Sequence, residues 1–174
     1  MQDILERARQ TELVIFDIDG VMTDGSLYFT DEGHELKAFN SLDGHGLRML
    51  QQGGLRAAII TGRKSNLVKH RMTDLGIDLI WQGYRDKRPA FQELLESTGL
   101  SKDQVAYVGD DVVDLPVMTK TGFAIAVQNA HPFVKQHSHW ITDRSGGRGA
   151  VRDVCALMLE SRGLLSDMLA AYLE

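Results

Sequence analysis

Acidic side chains recur in this 174-residue chain where apolar runs end. Asp17 and Asp19 follow the run Leu13, Val14, Ile15, Phe16. Asp110, Asp111 and Asp114 follow Val105, Ala106, Tyr107, Val108, with Gly109 between. Thr61 closes Ala57, Ala58, Ile59, Ile60. Lys87 comes one short loop after Leu79, Ile80, Trp81. Residues two apart in extended chain point to one side, so Asp17 and Asp19 are expected to face together. Crowded carboxylates repel one another unless a cation lies among them. Oxygen donors without His or Cys suit Mg²⁺. Such an ion would offset the repulsion and neutralise a phosphate oxygen.

Elements must bring these groups together. The apolar runs, with Phe123, Ala124, Ile125, Ala126, Val127 and the pair Trp140, Ile141, suit strands buried on both faces. Helical patterns alternate with them. Ser65 is a candidate N-cap for a helix carrying Leu67, Val68, Met72 and Leu75, with Gly76 past its end. Pro89 suits the first turn of a helix bearing Phe91, Leu94 and Leu95, closed by Gly99. Val113 and Val117 mark another, ending near Gly122. The alternation predicts an α/β fold with a doubly wound, mainly parallel, Rossmann-like sheet. Ligands bind such sheets at the carboxyl ends of the strands, where the acidic residues fall.

Residues 26–39 break the alternation and read as a β-hairpin inserted after the first strand. A polar loop over 40–44 enters a helix over 44–52. Residues 150–174 read as a C-terminal helix and tail, interrupted at Gly163. Ser101 and Gln104 have the spacing of a capping box, but a strand pattern starts at once at Val105, so no helix is assigned there.

Composition bounds the partners. Net charge is −5, hydrophobic residues make up 43% and charged residues 25%, ordinary values for one globular domain over residues 1–174. The acidic balance disfavours nucleic acid and anionic membranes. No run approaches a membrane span, and the charged N-terminus lacks the apolar core of a signal peptide. One cysteine, Cys155, excludes an internal disulfide. These features predict a cytoplasmic protein. His131, His137 and His139 read as surface histidines rather than a zinc site. Cys155 reads as buried on a helix face with Val151 and Leu159.

The motifs resemble those of the haloacid dehalogenase superfamily. Asp17, Ile18, Asp19, Gly20 and Val21 resemble motif I; Thr61, Gly62 and Arg63 resemble motif II. Lys87 fits motif III, and Gly109, Asp110, Asp111 and Asp114 fit motif IV. Four motifs in order are far more specific than any one. Further stretches resemble the superfamily's 3-deoxy-D-manno-octulosonate 8-phosphate phosphatases, which act in lipopolysaccharide biosynthesis. They are residues 17–25, 40–44, 59–64, 107–111 and 146–151. The phosphatase-like domain of some sialic-acid cytidylyltransferases shares much of this pattern. A phosphatase for another sugar phosphate, such as a sialic-acid 9-phosphate, and a catalytically silent oligomerising module stand as alternatives.

The resemblance implies roles. Asp17 is the expected nucleophile, and Asp19 the expected acid and base. Asp17, the backbone carbonyl of Asp19, and Asp110 are expected to hold Mg²⁺. Thr61 and Lys87 are expected to bind the phosphoryl oxygens. Asp114 is expected to support Lys87 or the metal shell. Asp111 fits either a metal-shell carboxylate or a charge at a helix N-terminus. For the sugar acid, the expected contacts are Asp19, Asn40, Ser41, Leu42, Asp43, Gly44, Arg48, Arg63, Arg71 and Lys87, because arginine pairs well with carboxylate. Arg148, between Gly147 and Gly149, is a further candidate for substrate or neighbour.

Neither interval that usually carries a cap domain is long enough here to hold one. A phosphoenzyme needs shielding from bulk water. An isolated two-stranded ribbon is marginal in water. A neighbouring subunit meets both needs, and the resembled family implies a homotetramer built on the hairpin.

Overall fold

The computed structural model describes residues 2–174. Six strands, β1 (Leu13–Phe16), β4 (Arg56–Thr61), β5 (Leu79–Gln82), β6 (Val105–Gly109), β7 (Phe123–Ala126) and β8 (Trp140–Ile141), form one sheet. Its order is β5-β4-β1-β6-β7-β8, and every pairing is parallel. All four β1 residues are buried, as a central parallel strand requires. Phe16 stands in register with Ile59 on one side and Val108 on the other. The ends of β4, β1 and β6 therefore deliver Thr61, Asp17 and Asp110 to one rim.

Helices α1 (Gln2–Gln10) and α2 (Ser41–Gln52) both pack on α7 (Ala150–Ser161). Helix α4 (Lys87–Thr98) packs on α5 (Leu115–Met118). Helices α3 (Asn66–Asp74), α6 (Pro132–Gln136) and α8 (Leu165–Ala170) complete the set. No helix among the described residues is long and apolar enough to cross a membrane.

The hairpin is present and small. β2 (Tyr28–Phe29) pairs antiparallel with β3 (Glu35–Leu36). Leu27, Tyr28, Phe29 and Leu36 are all exposed on it.

The structure adds one helix to the sequence reading and changes three elements of it. Helix α1 was not foreseen; Ala8 is its only fully buried residue, so its apolar stripe is thin. Helix α2 starts at Ser41 rather than Gly44, because Asn40 caps it by accepting the Leu42 N–H at 2.8 Å. Gln104 Oε1 accepts the Ser101 N–H at 3.1 Å, so the rejected capping box forms around a single 3₁₀ turn before β6. Val113 precedes helix α5 and is exposed rather than part of it.

Candidate active site

The strand ends meet in a cavity of about 480 Å³ lined by Asp17, Asp19, Thr61, Arg63, Lys87 and Asp110, among others. Extended geometry does not continue past Asp17. The chain turns over Ile18–Met22, closed by the Thr23 N–H on the Ile18 carbonyl at 3.0 Å. Asp19 enters the cavity from that turn, not from a strand. Gly20 takes φ +96°, and a Cβ there would overlap the Asp110 carboxylate. Only glycine fits, on conformation and on space.

A second turn buttresses the first. The Gly147 N–H donates to the Val21 carbonyl at 2.9 Å, and the Gly146 N–H to Asn129 Oδ1 at 2.9 Å. A Cβ at Gly146 would overlap the Gly20 carbonyl oxygen. Arg148 reaches Asp24 at 3.4 Å and is otherwise exposed.

Lys87 opens helix α4, where the helix dipole disfavours a cation. Two carboxylates overcome this. Its Nζ lies 3.0 Å from Asp17 Oδ1 and donates to Asp114 Oδ1 at 2.6 Å and to the Tyr107 hydroxyl at 3.0 Å. Burial acts to lower the Lys87 pKa, but Asp17 and Asp114 hold it above the ordinary lysine value. Asp114 is wholly buried; its other oxygen accepts the Asp110 and Asp111 N–H groups at 3.0 and 3.2 Å. It thus fixes both Lys87 and the 109–111 loop. Asp111 accepts the Val112 N–H at 2.7 Å.

A second ionic group flanks the cavity at Asp19 and Arg63. Lys37, on the hairpin, pairs with Asp19 and lies 3.2 Å from Glu35. Arg63 reaches Glu35 at 2.7 Å and Asp19 at 3.8 Å. Burial acts to raise the Glu35 carboxyl, and Arg63 and Lys37 more than offset it, leaving its pKa below the usual value.

The donor set fits a hard divalent cation. Asp17, Asp110 and Asp114 each place an oxygen within 4.8 Å of the others. Asp114 is already bound by Lys87, Tyr107 and two backbone N–H groups, which leaves Asp17 and Asp110. Asp110 Oδ1 is buried and has no hydrogen-bond partner among the described residues. Burial, then the neighbouring Asp114, raise Asp17 to about 7 against the opposing effect of Lys87. Burial, then Asp114, Asp17 and Asp111, raise Asp110 to about 8. Lys87 alone does not offset the crowding at Asp17 and Asp110, and a cation between them would supply the missing positive charge.

Several expected substrate contacts lie elsewhere in the subunit. Asn40 caps α2 and donates to the Gly147 carbonyl at 3.2 Å. Ser41 and Leu42 are exposed on the first turn of α2. Asp43 is buried and accepts the Arg152 N–H at 2.9 Å, capping α7; burial raises its pKa. Gly44 packs against Arg71, and Arg71 pairs with Asp74 at 3.4 Å. Arg48 donates to the Asp74 carbonyl at 3.3 Å. None of these lines the cavity, whereas Arg63 does. Lys37, Glu35, Arg85 and Tyr107 were not foreseen. Arg85 lies two residues before Lys87; Lys37 has no local signal.

A family model described as haloacid dehalogenase-like hydrolase matches residues 80–153. The 3-deoxy-D-manno-octulosonate 8-phosphate phosphatase of Escherichia coli is 46% identical over 165 residues, 95% of this chain and 88% of that protein. A probable YrbI family phosphatase from Pseudomonas syringae superposes with TM-score 0.98 at 46% identity, over 100% of this chain and 99% of that one. The Moraxella catarrhalis 3-deoxy-D-manno-octulosonate 8-phosphate phosphatase, solved with magnesium, phosphate and the sugar acid KDO, superposes with TM-score 0.96. It is 40% identical and covers 99% of each chain. The chain therefore belongs to the haloacid dehalogenase-like hydrolases, within the family of the 3-deoxy-D-manno-octulosonate 8-phosphate phosphatases.

Proposed function

We propose that this protein hydrolyses 3-deoxy-D-manno-octulosonate 8-phosphate to the free sugar acid and phosphate, with Mg²⁺ as cofactor, in lipopolysaccharide biosynthesis. The observation that carries this reading is the convergence of Asp17, Asp19, Asp110 and Lys87 at one cavity.

Asp17 and Asp110, with the Asp19 carbonyl, hold the magnesium. When bound, the ion neutralises charge on the phosphate and on the two carboxylates. Lys87 and Thr61 bind the phosphoryl oxygens, Lys87 being oriented by Asp114 and Tyr107. The Asp17 carboxylate attacks phosphorus and forms an aspartyl-phosphate. Asp19 gives its proton to the departing sugar oxygen, then takes one from the water that hydrolyses the aspartyl-phosphate. Arg63, at the rim, receives the sugar carboxylate.

The active form is a cytoplasmic homotetramer. The exposed apolar residues of the hairpin supply its contacts, and subunits wall one another's sites. Arg48, Arg71 and the 40–44 segment then serve substrate only across a subunit boundary. Light scattering should give a mass near four chains.

The function is tested by phosphate release with Mg²⁺ present. A charge-assisted contact to the carboxylate is worth ~1.5–3 kcal/mol, or roughly 10–100-fold in kcat/KM. The octulosonate 8-phosphate should exceed glucose 6-phosphate by that margin, and EDTA should abolish both rates. Equal kcat/KM for the two sugars would remove the sugar-acid assignment.

The pKa values give a second expectation. Asp17 and Asp110 are raised in the folded, metal-free protein, so folding favours their protonated forms. The stability this provides is complete below the unfolded carboxyl value and is lost as pH rises toward about 7 and about 8. Mg²⁺ must displace those protons. Its apparent affinity should rise from pH 6 to 8, and the rise in Tm on adding Mg²⁺ should grow with it. Calorimetric titration showing pH-independent affinity would contradict this ligand assignment.

A further inference from the structure

We propose that Lys37 is a positioning residue that holds the Asp19 carboxyl on the leaving-group oxygen. The proposal rests on the phosphatase reading above and adds to it a residue from the hairpin. Three observations carry it. The Lys37 side chain is only 2% exposed, although it leaves a two-stranded ribbon whose apolar residues lie open to solvent. Burying an ammonium group is costly unless it is paired. Its partners are Asp19, which lines the cavity, and Glu35, so the cost is offset by pairing at the cavity's edge.

The second observation is closure of the network. Arg63, just after β4, grips Glu35 at 2.7 Å and Asp19 at 3.8 Å. Asp19 is thus held from two directions, by the hairpin and by the loop after β4. The third is what Asp19 lacks otherwise. It sits in a turn with non-helical φ and ψ, and no hydrogen bond from the turn's own backbone reaches its carboxylate among the described residues. Its orientation comes from Lys37 and Arg63. Lys37 makes the closer contact.

Orientation matters most where a proton must be delivered. An alkoxide leaves poorly, so its departure depends on a well-placed acid. A nitrophenolate is stable on its own and depends little on one. In a two-step hydrolysis, kcat/KM reports only the steps through departure of the alcohol or phenol. Later hydrolysis of the aspartyl-phosphate does not enter it.

The test is a leaving-group series with Mg²⁺ present: phenyl phosphates with graded ring substituents, from p-nitrophenyl to p-methoxyphenyl, and one alkyl phosphate. Lys37→Met should keep kcat/KM for p-nitrophenyl phosphate within about threefold of wild type. For the alkyl phosphate it should fall about 10–100-fold, part of the usual worth of a positioned acid. The plot of log kcat/KM against leaving-group pKa should steepen, and Lys37→Arg should restore most of the slope. A purely structural role would lower every point together. Binding of the sugar carboxylate by Lys37 would leave this series untouched. Parallel plots for wild type and Lys37→Met, with the Lys37→Met protein folded by circular dichroism, would overturn the proposal. If Lys37→Met does not fold, a Lys37→Gln plot parallel to wild type overturns it equally. Absence of phosphate release from every member by the wild-type protein would instead overturn the phosphatase reading, and this proposal with it.

Discussion

Replacing Asp17 by Asn should leave a folded protein with less than about a hundredth of the wild-type turnover, the scale on which a nucleophile or acid–base group is lost. An amide is a poor nucleophile toward phosphorus. The substitution is nearly isosteric and removes a charge that burial already disfavours, since Asp17 sits at about 7. Its buried neighbour Lys87 keeps Asp114 and Tyr107 as partners. Thermal stability without metal should therefore change little, while the stabilisation by Mg²⁺ should shrink because a charged ligand is gone. Phosphate release measured beside the melting curve separates the two effects. Turnover above a hundredth of wild type would mean that another group attacks phosphorus.

Lys87→Met should damage fold and chemistry together. The side chain is 2% exposed and is the cation between Asp17 and Asp114. Removing one member of a buried ionic cluster costs about 3–5 kcal/mol, because the remaining charges stay buried without compensation. In a protein of this size that lowers Tm by about 6–20 °C. Asp114 would also lose the partner that balances its hold on the Asp110 and Asp111 N–H groups, so the 109–111 loop should loosen. Methionine keeps the aliphatic volume, which separates charge loss from cavity formation. A drop of less than about 3 °C, roughly 1 kcal/mol, would show that Lys87 is not the keystone of the cluster.

The parallel sheet was legible because strands buried on both faces are written as continuous apolar runs. Leu13, Val14, Ile15 and Phe16 admit few other readings, and all four are buried. Each run ended in the residue types that a strand-end site uses, so Asp17, Thr61 and Asp110 could be placed on one rim before any contact was known. What escaped depends on tertiary contact. Lys37 is a charged residue at the end of an exposed ribbon, and nothing within the ribbon says that it turns inward onto Asp19. Asp43 reads as a polar loop residue beside Asn40, yet it caps a helix 109 positions further along the chain. Arg48 and Arg71 have the right chemistry for a carboxylate. Within one subunit both turn toward Asp74, so the sequence alone does not say which cavity they could serve. Helix α1 buries little, so its periodicity was too thin to notice.

The central claim is that Asp17 carries the phosphoryl group and Asp19 moves the proton. The most direct measurement uses Asp19→Asn protein with p-nitrophenyl phosphate and Mg²⁺. This leaving group needs no proton, so the first step should proceed. The second step should stall for want of a base. The account predicts a burst of p-nitrophenol approaching one per chain, then near-arrest. Mass spectrometry should find one phosphoryl group on the peptide that contains Asp17. Continued turnover at the wild-type rate, or a burst whose phosphate is all free in solution, would contradict it.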